Sequence, residues 1–325
     1  MSDLAKLVER ADLTDLARLV DGLADSRDWE QVIELRDLCR EAVTRGRQLW
    51  GVAHWCTYRI ALGAPADLAA ATVLEPRSAV LPGPISEVLG VRHTWAALAP
   101  HLPEVPERSV VAHERGIRGE ALPEGAVDLS VVEVPPILQP WEGEYPVVEY
   151  GPSGGTFEPP ALPALDAVDL PGAPPVDLER DLASSALLDL AKTWMVESAG
   201  RAETRCVEGD AAGAIAAFGL RRARMAEVPV GDALDWMAWL GASGGAYGVR
   251  KGGAAGRASA WWTLALLTGT DDHWPPDPDE LGAAATELRW FVWTDLAPDT
   301  GWACRLAVED PLDGLAWALM AIDSR

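Results

Sequence analysis

Along the first third of the chain, apolar positions recur every three to four residues and polar positions fill the gaps. Leu16, Leu19, Val20 and Leu23 make one such stripe, and Val32, Leu35, Leu38, Cys39, Ala42 and Val43 make the next. That spacing puts each set on one face of an amphipathic helix. Ser26 stands where an N-cap is needed before "RDWEQVIELRDLCREAV", and Gly46 stands where that helix can end before "RQLWGVAHWCTYRIAL" begins another. Links this short imply antiparallel neighbours. The pattern weakens but continues through "GPISEVLG", "HTWAALAPHL" and "PERSVVAHERGIRG", with Pro84 and Pro106 placed as first-turn prolines. Residues 1–120 are therefore expected to form a helical array of stacked hairpins, repeat-like in architecture although no fixed repeat length is present.

The periodicity stops at residues 121–176, where 12 of the 25 prolines fall. Proline fixes φ and removes a donor, so long helices and central strands are excluded there. Yet Val131, Val132, Val134, Ile137, Leu138, Trp141, Val147 and Val148 are too apolar for a solvated tether. The expectation is an extended strap with a short strand or two. From 177 to 325 the periods mix. Helices are expected in "DLERDLASSALLDLAKTWMVES", "DAAGAIAAFG", "GDALDWMAWL", "RASAWWTLALLTG", "PDELGAAATEL" and the closing "PLDGLAWALMAID". Strands are expected in "ETRCVEG" and "RARMAEVPV", and in "RWFVWTD" and "GWACRLAVED" paired around the turn "LAPDT". The fold class is thus mostly α with a smaller α+β part: helical array, Pro-rich strap, and an α+β C-terminal lobe rich in tryptophan.

Composition sharpens this picture. A chain of 325 residues exceeds a typical domain of roughly 100–200 residues, which suggests two lobes. With 49% apolar residues it can offset chain entropy by burying real cores. The 27 basic and 50 acidic residues leave a formal charge of −23. A field of that sign repels nucleic-acid phosphates and an anionic membrane surface, which argues against both as partners, whereas it serves solubility and suits a basic partner. Cys39, Cys56, Cys206 and Cys304 are too dispersed for a zinc knuckle or a disulfide scaffold and read as buried, reduced thiols. The opening segment lacks the apolar run of a secretion signal, and no later run approaches the ~18 residues of a membrane span, so the cytoplasm is the expected compartment.

The sharpest chemical signal is "GASGGAYGVRKGGAAGR", residues 241–257. Between 236 and 270 no side chain is acidic, while Arg250, Lys251 and Arg257 are basic. A glycine-rich turn entering a helix can hold a phosphate or carboxylate on its amides, so Ser243, Arg250, Lys251, Gly253 and Arg257 form the candidate ligand site. No G-x-G-x-x-G is present, and Lys251 lacks the glycine before it and the Ser or Thr after it that a phosphate loop requires. Glycine equally lets two helices approach and turn sharply, and that connecting role is the leading expectation. Gly241 to Gly245 also match G-x-S-x-G, the pattern of a serine nucleophile at a strand-to-helix turn. Gly151 to Gly155 repeat it inside the proline-rich segment, and "ALDWMAWL" before Ser243 reads as helix, so a hydrolase built on Ser243 stands only as a third reading.

The acidic run "DDHWPPDPDE" is explained by capping: Asp277 as N-cap, Pro278 at the first helical position and Glu280 closing the box. Asp310, Pro311 and Asp313 repeat the arrangement before the expected last helix. His54, His93, His101 and His113 show no metal-ligand spacing and read as packed or surface residues, so neither metal nor cofactor is expected. Ten of the 15 tryptophans lie beyond residue 190. Trp290 and Trp293 fall on opposite faces of a strand, and Trp261 and Trp262 lie about 100° apart on a helix, so one core cannot hold them all. Some are accordingly expected to line a cleft or an interface, with Trp261, Trp290 and Trp293 as the candidate anchors, although a thick aromatic core is the commoner outcome for such rings.

The segments "WGVAHWCTYRIAL", "HTWAALAPHL", "WMAWLGASGGAYG", "GRASAWWTLALLTG", "WPPDPDELGAAATELRW" and "GWACRLAVEDPLDGLAWAL" resemble an uncharacterised bacterial protein family. That family carries no assigned activity, so the resemblance implies no catalytic residue. The expected function is binding of another protein, as a non-catalytic accessory subunit of a larger bacterial assembly. The alternative is an anion- or phosphate-metabolite-binding protein or enzyme that uses residues 241–257.

Overall fold

The computed structural model describes residues 3–10, 12–76, 78, 80–145, 147–172, 175–178, 181–296 and 301–324. Two compact units emerge. The first comprises Met1–Val131 with Val148–Thr156, the second Val132–Val147 with Phe157–Arg325. The proline-rich residues thus contribute to both.

In the first unit the amphipathic helices Leu13–Asp25 and Trp29–Thr44 pack on Trp50–Gly63, and Asp3–Arg10 packs on Trp29–Thr44. Val8, Leu16, Val20, Val32, Leu35, Cys39, Val52, Cys56 and Ile60 make one buried cluster. Trp50–Gly63 is buried nearly all round, including Thr57, Tyr58 and Ile60, so it is the central helix and carries no polar stripe. Gly46 does close Trp29–Thr44, at φ 88°, as a left-handed residue after a helix should. The expected cap at Ser26 is corrected. Its hydroxyl donates to Gly22 O at 2.9 Å and ends the preceding helix. Arg27 reverses the chain at φ 60°, which brings Asp28 rather than Ser26 to the free amide of Gln31, at 3.3 Å. Strands β1 (Glu149–Gly151) and β2 (Gly154–Thr156) form a hairpin in this unit, with Gly151 opposite Gly154. The second G-x-S-x-G is therefore a hairpin turn.

The second unit is built on a six-stranded antiparallel sheet. Its strands are β3 (Asp166–Asp169), β4 (Arg201–Glu208), β5 (Arg222–Val228), β6 (Arg289–Thr294), β7 (Trp302–Asp310) and β8 (Leu315–Asp323), in the order β3-β5-β6-β7-β8-β4. The four strands expected from sequence are present. The turn "LAPDT" lies, after Leu296, outside the described residues. The closing segment "LAWALMAID" is not a helix but β8, paired on both sides, with Trp317 opposite Val308 and Cys206. A strand enclosed on both faces reads as an unbroken apolar run, which periodicity cannot separate from a buried helix. Asp310 still accepts the amides of Leu312 and Asp313 at 2.8 and 3.1 Å, and it caps a hairpin turn instead.

Alternation along the strands divides the sheet. Phe291, Trp293, Ala307, Ala316 and Ala318 face the short helix Ala211–Ala216. Trp290, Leu306, Val308 and Trp317 face Leu187 and Met237, which belong to helices Leu182–Leu190 and Val230–Ala242. The fold is α+β with a helical majority. Among the described residues, no helix is long and apolar enough to cross a membrane.

Candidate functional site

Residues 241–257 join helix Val230–Ala242 to helix Gly253–Thr268. The two helices meet backbone to backbone: a Cβ added at Gly256 would collide with the Ala238 carbonyl oxygen and lie 2.7 Å from Ala242 Cβ. Glycine there permits a contact that any side chain would push apart. Three amides of the intervening loop have side-chain acceptors from their own chain. Ala246 N donates to Asp323 Oδ2 at 2.6 Å, Val249 N to Glu197 Oε2 at 3.0 Å and Tyr247 N to Ser198 Oγ at 3.1 Å. The carboxylates that such a loop attracts are the protein's own.

Each residue singled out from sequence is tightly placed. Ser243, 1% exposed, accepts from Trp194 Nε1 at 2.9 Å and donates to Leu240 O at 3.3 Å. Arg250, 8% exposed, lies with its Cζ 3.5 Å from the centre of the Phe157 ring. Lys251 N donates to Ala242 O at 2.8 Å, and Gly253 opens the second helix. Both are half-buried. Arg257 is fully buried, and its partners lie in residues 132–147. Its Nε and Nη2 grip Glu142 at 2.8 and 2.6 Å, a bidentate pair, and its remaining donors meet the carbonyls of Pro135 and Ile137. Trp261 Nε1 donates to the same carboxylate at 2.8 Å, and the Tyr145 hydroxyl also donates to it. Burial works to raise the Glu142 pKa, but the bond and charge of Arg257 outweigh it and hold the carboxyl below its ordinary value. Burial and the Glu142 charge push the Tyr145 phenol well up. Arg250 and Arg257 are thus engaged by different partners, Phe157 and Glu142.

Trp261, Trp290 and Trp293 lie in the interior of the unit, at 0%, 3% and 1% exposure. Trp290 Nε1 donates to Ala285 O at 3.0 Å and Trp293 Nε1 to Leu306 O at 3.2 Å. The next residue along the helix behaves differently. Trp262 is 41% exposed, and its ring stands at 88° to that of Trp274 with centroids 5.0 Å apart. The two indoles form a corner of a cleft of about 430 Å³ lined also by Glu133, Ala186, Asp189, Leu190, Ala258, Ser259 and Thr263. Ala186, Asp189 and Leu190 share one face of helix Leu182–Leu190, and Ala258, Ser259, Trp262 and Thr263 share one face of Gly253–Thr268. Thr263 Oγ1 donates to Ala186 O at 3.4 Å and ties the walls together. Glu133 adopts φ 58°, a left-handed conformation that costs a non-glycine residue free energy and often marks a working site. Its carboxylate accepts Trp274 Nε1 at 3.2 Å. Asp189 lies across the cleft, exposed and 4.0 Å from Lys192.

An apolar floor, an indole corner and two carboxylates make a cleft whose chemistry suits a cation with an apolar stem. Positive charge is drawn to the face of tryptophan, and long basic side chains bury their methylenes while the head stays polar. Sequence reasoning put the interface on the neighbouring tryptophans. The signals that could have found the cleft were the 100° offset of Trp262 from Trp261 and the acid Glu133 set among Val131, Val132, Val134 and Ile137.

Asp277 caps helix Pro278–Glu287, accepting the amides of Asp279 and Glu280 at 3.0 and 3.1 Å. Among the described residues no group of three or more His, Cys, Asp or Glu side chains is arranged to hold a metal ion. The four cysteines are free and buried. Burial pushes the Cys39 and Cys206 thiols up to about 11, which keeps them protonated and unreactive at neutral pH. A further cavity of about 360 Å³ is lined by Glu144, Asp232, Asp235 and Trp236. Burial, with the charges of Asp232, Glu144 and Glu142 added, pushes the Asp235 carboxyl up to about 8.

The chain belongs to DUF6183, a family of unknown function, whose model matches residues 14–323. No curated protein and no solved structure matches it.

Proposed function

We propose that the protein works by binding another protein, as an accessory subunit of a larger bacterial assembly, and that its second unit receives a lysine- or arginine-bearing segment of a basic partner. The observation that carries this reading is the perpendicular Trp262–Trp274 pair opening to solvent beside Glu133. A basic side chain laid against the exposed Trp262 face meets attractive π-density and two carboxylates, and its stem covers Ala186, Leu190 and Ala258. The formal charge of −23 steers such a partner inward over a distance set by ionic strength. Internal satisfaction of the loop amides by Asp323, Glu197 and Ser198 supports a connecting role for residues 241–257. In the first unit, stacked helices supply further surface of the kind that helical arrays offer to partners.

The test is titration of the full chain with an arginine- and lysine-rich octapeptide, followed by tryptophan fluorescence and calorimetry, with a glutamate-rich octapeptide as control. Saturable binding of the basic peptide, weakened by salt and lost in Trp262→Ala, is expected. Equal binding of both peptides, or undiminished binding by that variant, overturns the assignment of the cleft.

A further inference from the structure

The first unit holds a separate constellation that goes beyond the binding reading. Helix Trp50–Gly63 presents His54, 8% exposed, to the segment after the short 3-10 turn Ala71–Leu74. Ser78 Oγ lies 2.9 Å from His54 Nδ1, and Glu75 Oε1 lies 3.3 Å from His54 Nε2. The Glu75 side chain is only 6% exposed. Its other oxygen is engaged by Arg40 and by Thr57 Oγ1, the latter at 3.4 Å. An imidazole flanked in this way has one favoured arrangement. The carboxylate fixes the ring proton on Nε2, which leaves Nδ1 as an acceptor. The Ser78 hydroxyl fills it as donor, while a lone pair of Oγ takes the Val80 amide at 3.3 Å. Exposure rises from the buried carboxylate and ring to the half-buried hydroxyl. Acid, base and hydroxyl are thus in series, the order that activates a serine nucleophile, with the two ring nitrogens exchanged relative to the common arrangement.

A cavity of about 410 Å³ reaches the series at its acid, lined by Trp50, Thr72, Leu74, Arg36, Arg40 and Glu75. The Trp50 ring is 5.9 Å from that of His54. Trp50 and Leu74 are 52% and 61% exposed, an apolar rim beside a polar relay. We propose that Ser78 is a nucleophile toward carboxylic esters carrying a short apolar acyl chain, with His54 as its base and Glu75 positioning the imidazole. Ser78 Oγ attacks the carbonyl carbon and its proton passes to His54 Nδ1. The bond to the leaving alkoxide breaks, the alkoxide takes that proton, and the acyl group remains on Ser78. Water then gives a proton to His54 and its oxygen to the acyl carbon. The proton returns to Oγ as the carboxylic acid departs.

The experiment uses the intact chain and a biotinylated fluorophosphonate, which loses fluoride as its phosphorus bonds to a serine oxygen. Adducts are mapped by peptide mass spectrometry, and p-nitrophenyl butyrate hydrolysis is followed alongside. An adduct on Ser78 is expected, absent from Ser78→Ala, formed about 100-fold more slowly in His54→Gln, and accompanied by ester turnover lost in the same variants. No adduct on Ser78 in the wild-type chain overturns the proposal, as does a folded His54→Gln protein that reacts at the wild-type rate. If His54→Gln does not fold, Glu75→Gln decides: slower labelling at an unchanged melting temperature supports the relay, and unchanged labelling overturns it.

Discussion

Trp261 and Trp262 are neighbours in sequence, and their surroundings are opposites. Trp261 is sealed at 0% exposure and gives its indole proton to Glu142, a carboxylate already held at two points by Arg257. Trp262, one step round the helix, is 41% exposed and shares its cleft with Glu133. Both acids come from the same short segment, residues 132–147 of the second unit. What separates the structural joint from the proposed receptor is saturation: around Glu142 the donors are internal and numerous, whereas around Glu133 one indole N–H is engaged and the mouth is open. A matched buried carboxylate holds the fold together; an acid at an open aromatic corner is available to a newcomer.

The largest effect should come from breaking the sealed side. Arg257→Ala leaves Glu142 buried without its partner and should cost about 3–5 kcal/mol, seen as a lower denaturant midpoint. Pairing Arg257→Met with Glu142→Leu should restore much of that loss, because both charges are then gone. If the single variant shifts the midpoint no more than a surface change does, the joint is not structural.

On the open side, Trp262→Ala should weaken basic-peptide binding roughly tenfold or more, as loss of an aromatic anchor does. Its melting temperature should stay near that of the wild type, since exposed positions move stability by only about ±0.5 kcal/mol. A large fall in stability together with binding would make Trp262 a core residue after all.

Asp235 sharpens the rule with an acid that burial leaves poorly matched. Its Oδ1 is buried with no hydrogen-bond partner among the described residues, and its pKa is raised from 3.8 to about 8. The folded state keeps a proton that the unfolded chain loses, so stability should decline as pH climbs from about 4 to about 8. Asp235→Asn should remove that slope and raise the melting temperature by a few degrees at the alkaline end, with little change below about pH 4. Glu142, held below its ordinary value, has the reverse sign: its contribution is complete above the unfolded carboxyl pKa and is lost as pH falls through the folded one. Melting curves carried from about pH 2 to about pH 8 separate the two, Glu142 acting at the acid end and Asp235 above it.

The smallest effect belongs to Glu133→Gln, expected to weaken the basic peptide by about threefold and to flatten the salt dependence. Unaltered salt dependence would move the electrostatic contribution elsewhere.

Local patterns carried much of this architecture. The helical stripes of the first unit and four strands of the sheet are visible in single segments. The strand Leu315–Asp323 was not, because enclosure on both faces erases the alternation that marks a strand. Nor was the capping role of Asp28, which depends on the φ of Arg27. The sites were less legible still. Glu133, Asp189, Trp262 and Trp274 are spread over more than a hundred residues, as is the Glu142–Arg257 joint. Even the local trio of His54, Glu75 and Ser78 spans 24 positions, and only the reversal of the chain after the central helix brings it together.

The joint between Glu142 and Arg257 also has an order in time. The carboxylate leaves the ribosome 115 residues before its guanidinium partner. At about 5–20 residues per second that is a wait of roughly 6–23 seconds. During translation the acid stays in water, and the nascent second unit cannot close until the glycine-lined helix has emerged. A ribosome stalled between those two codons would display an open chain to chaperones and proteases.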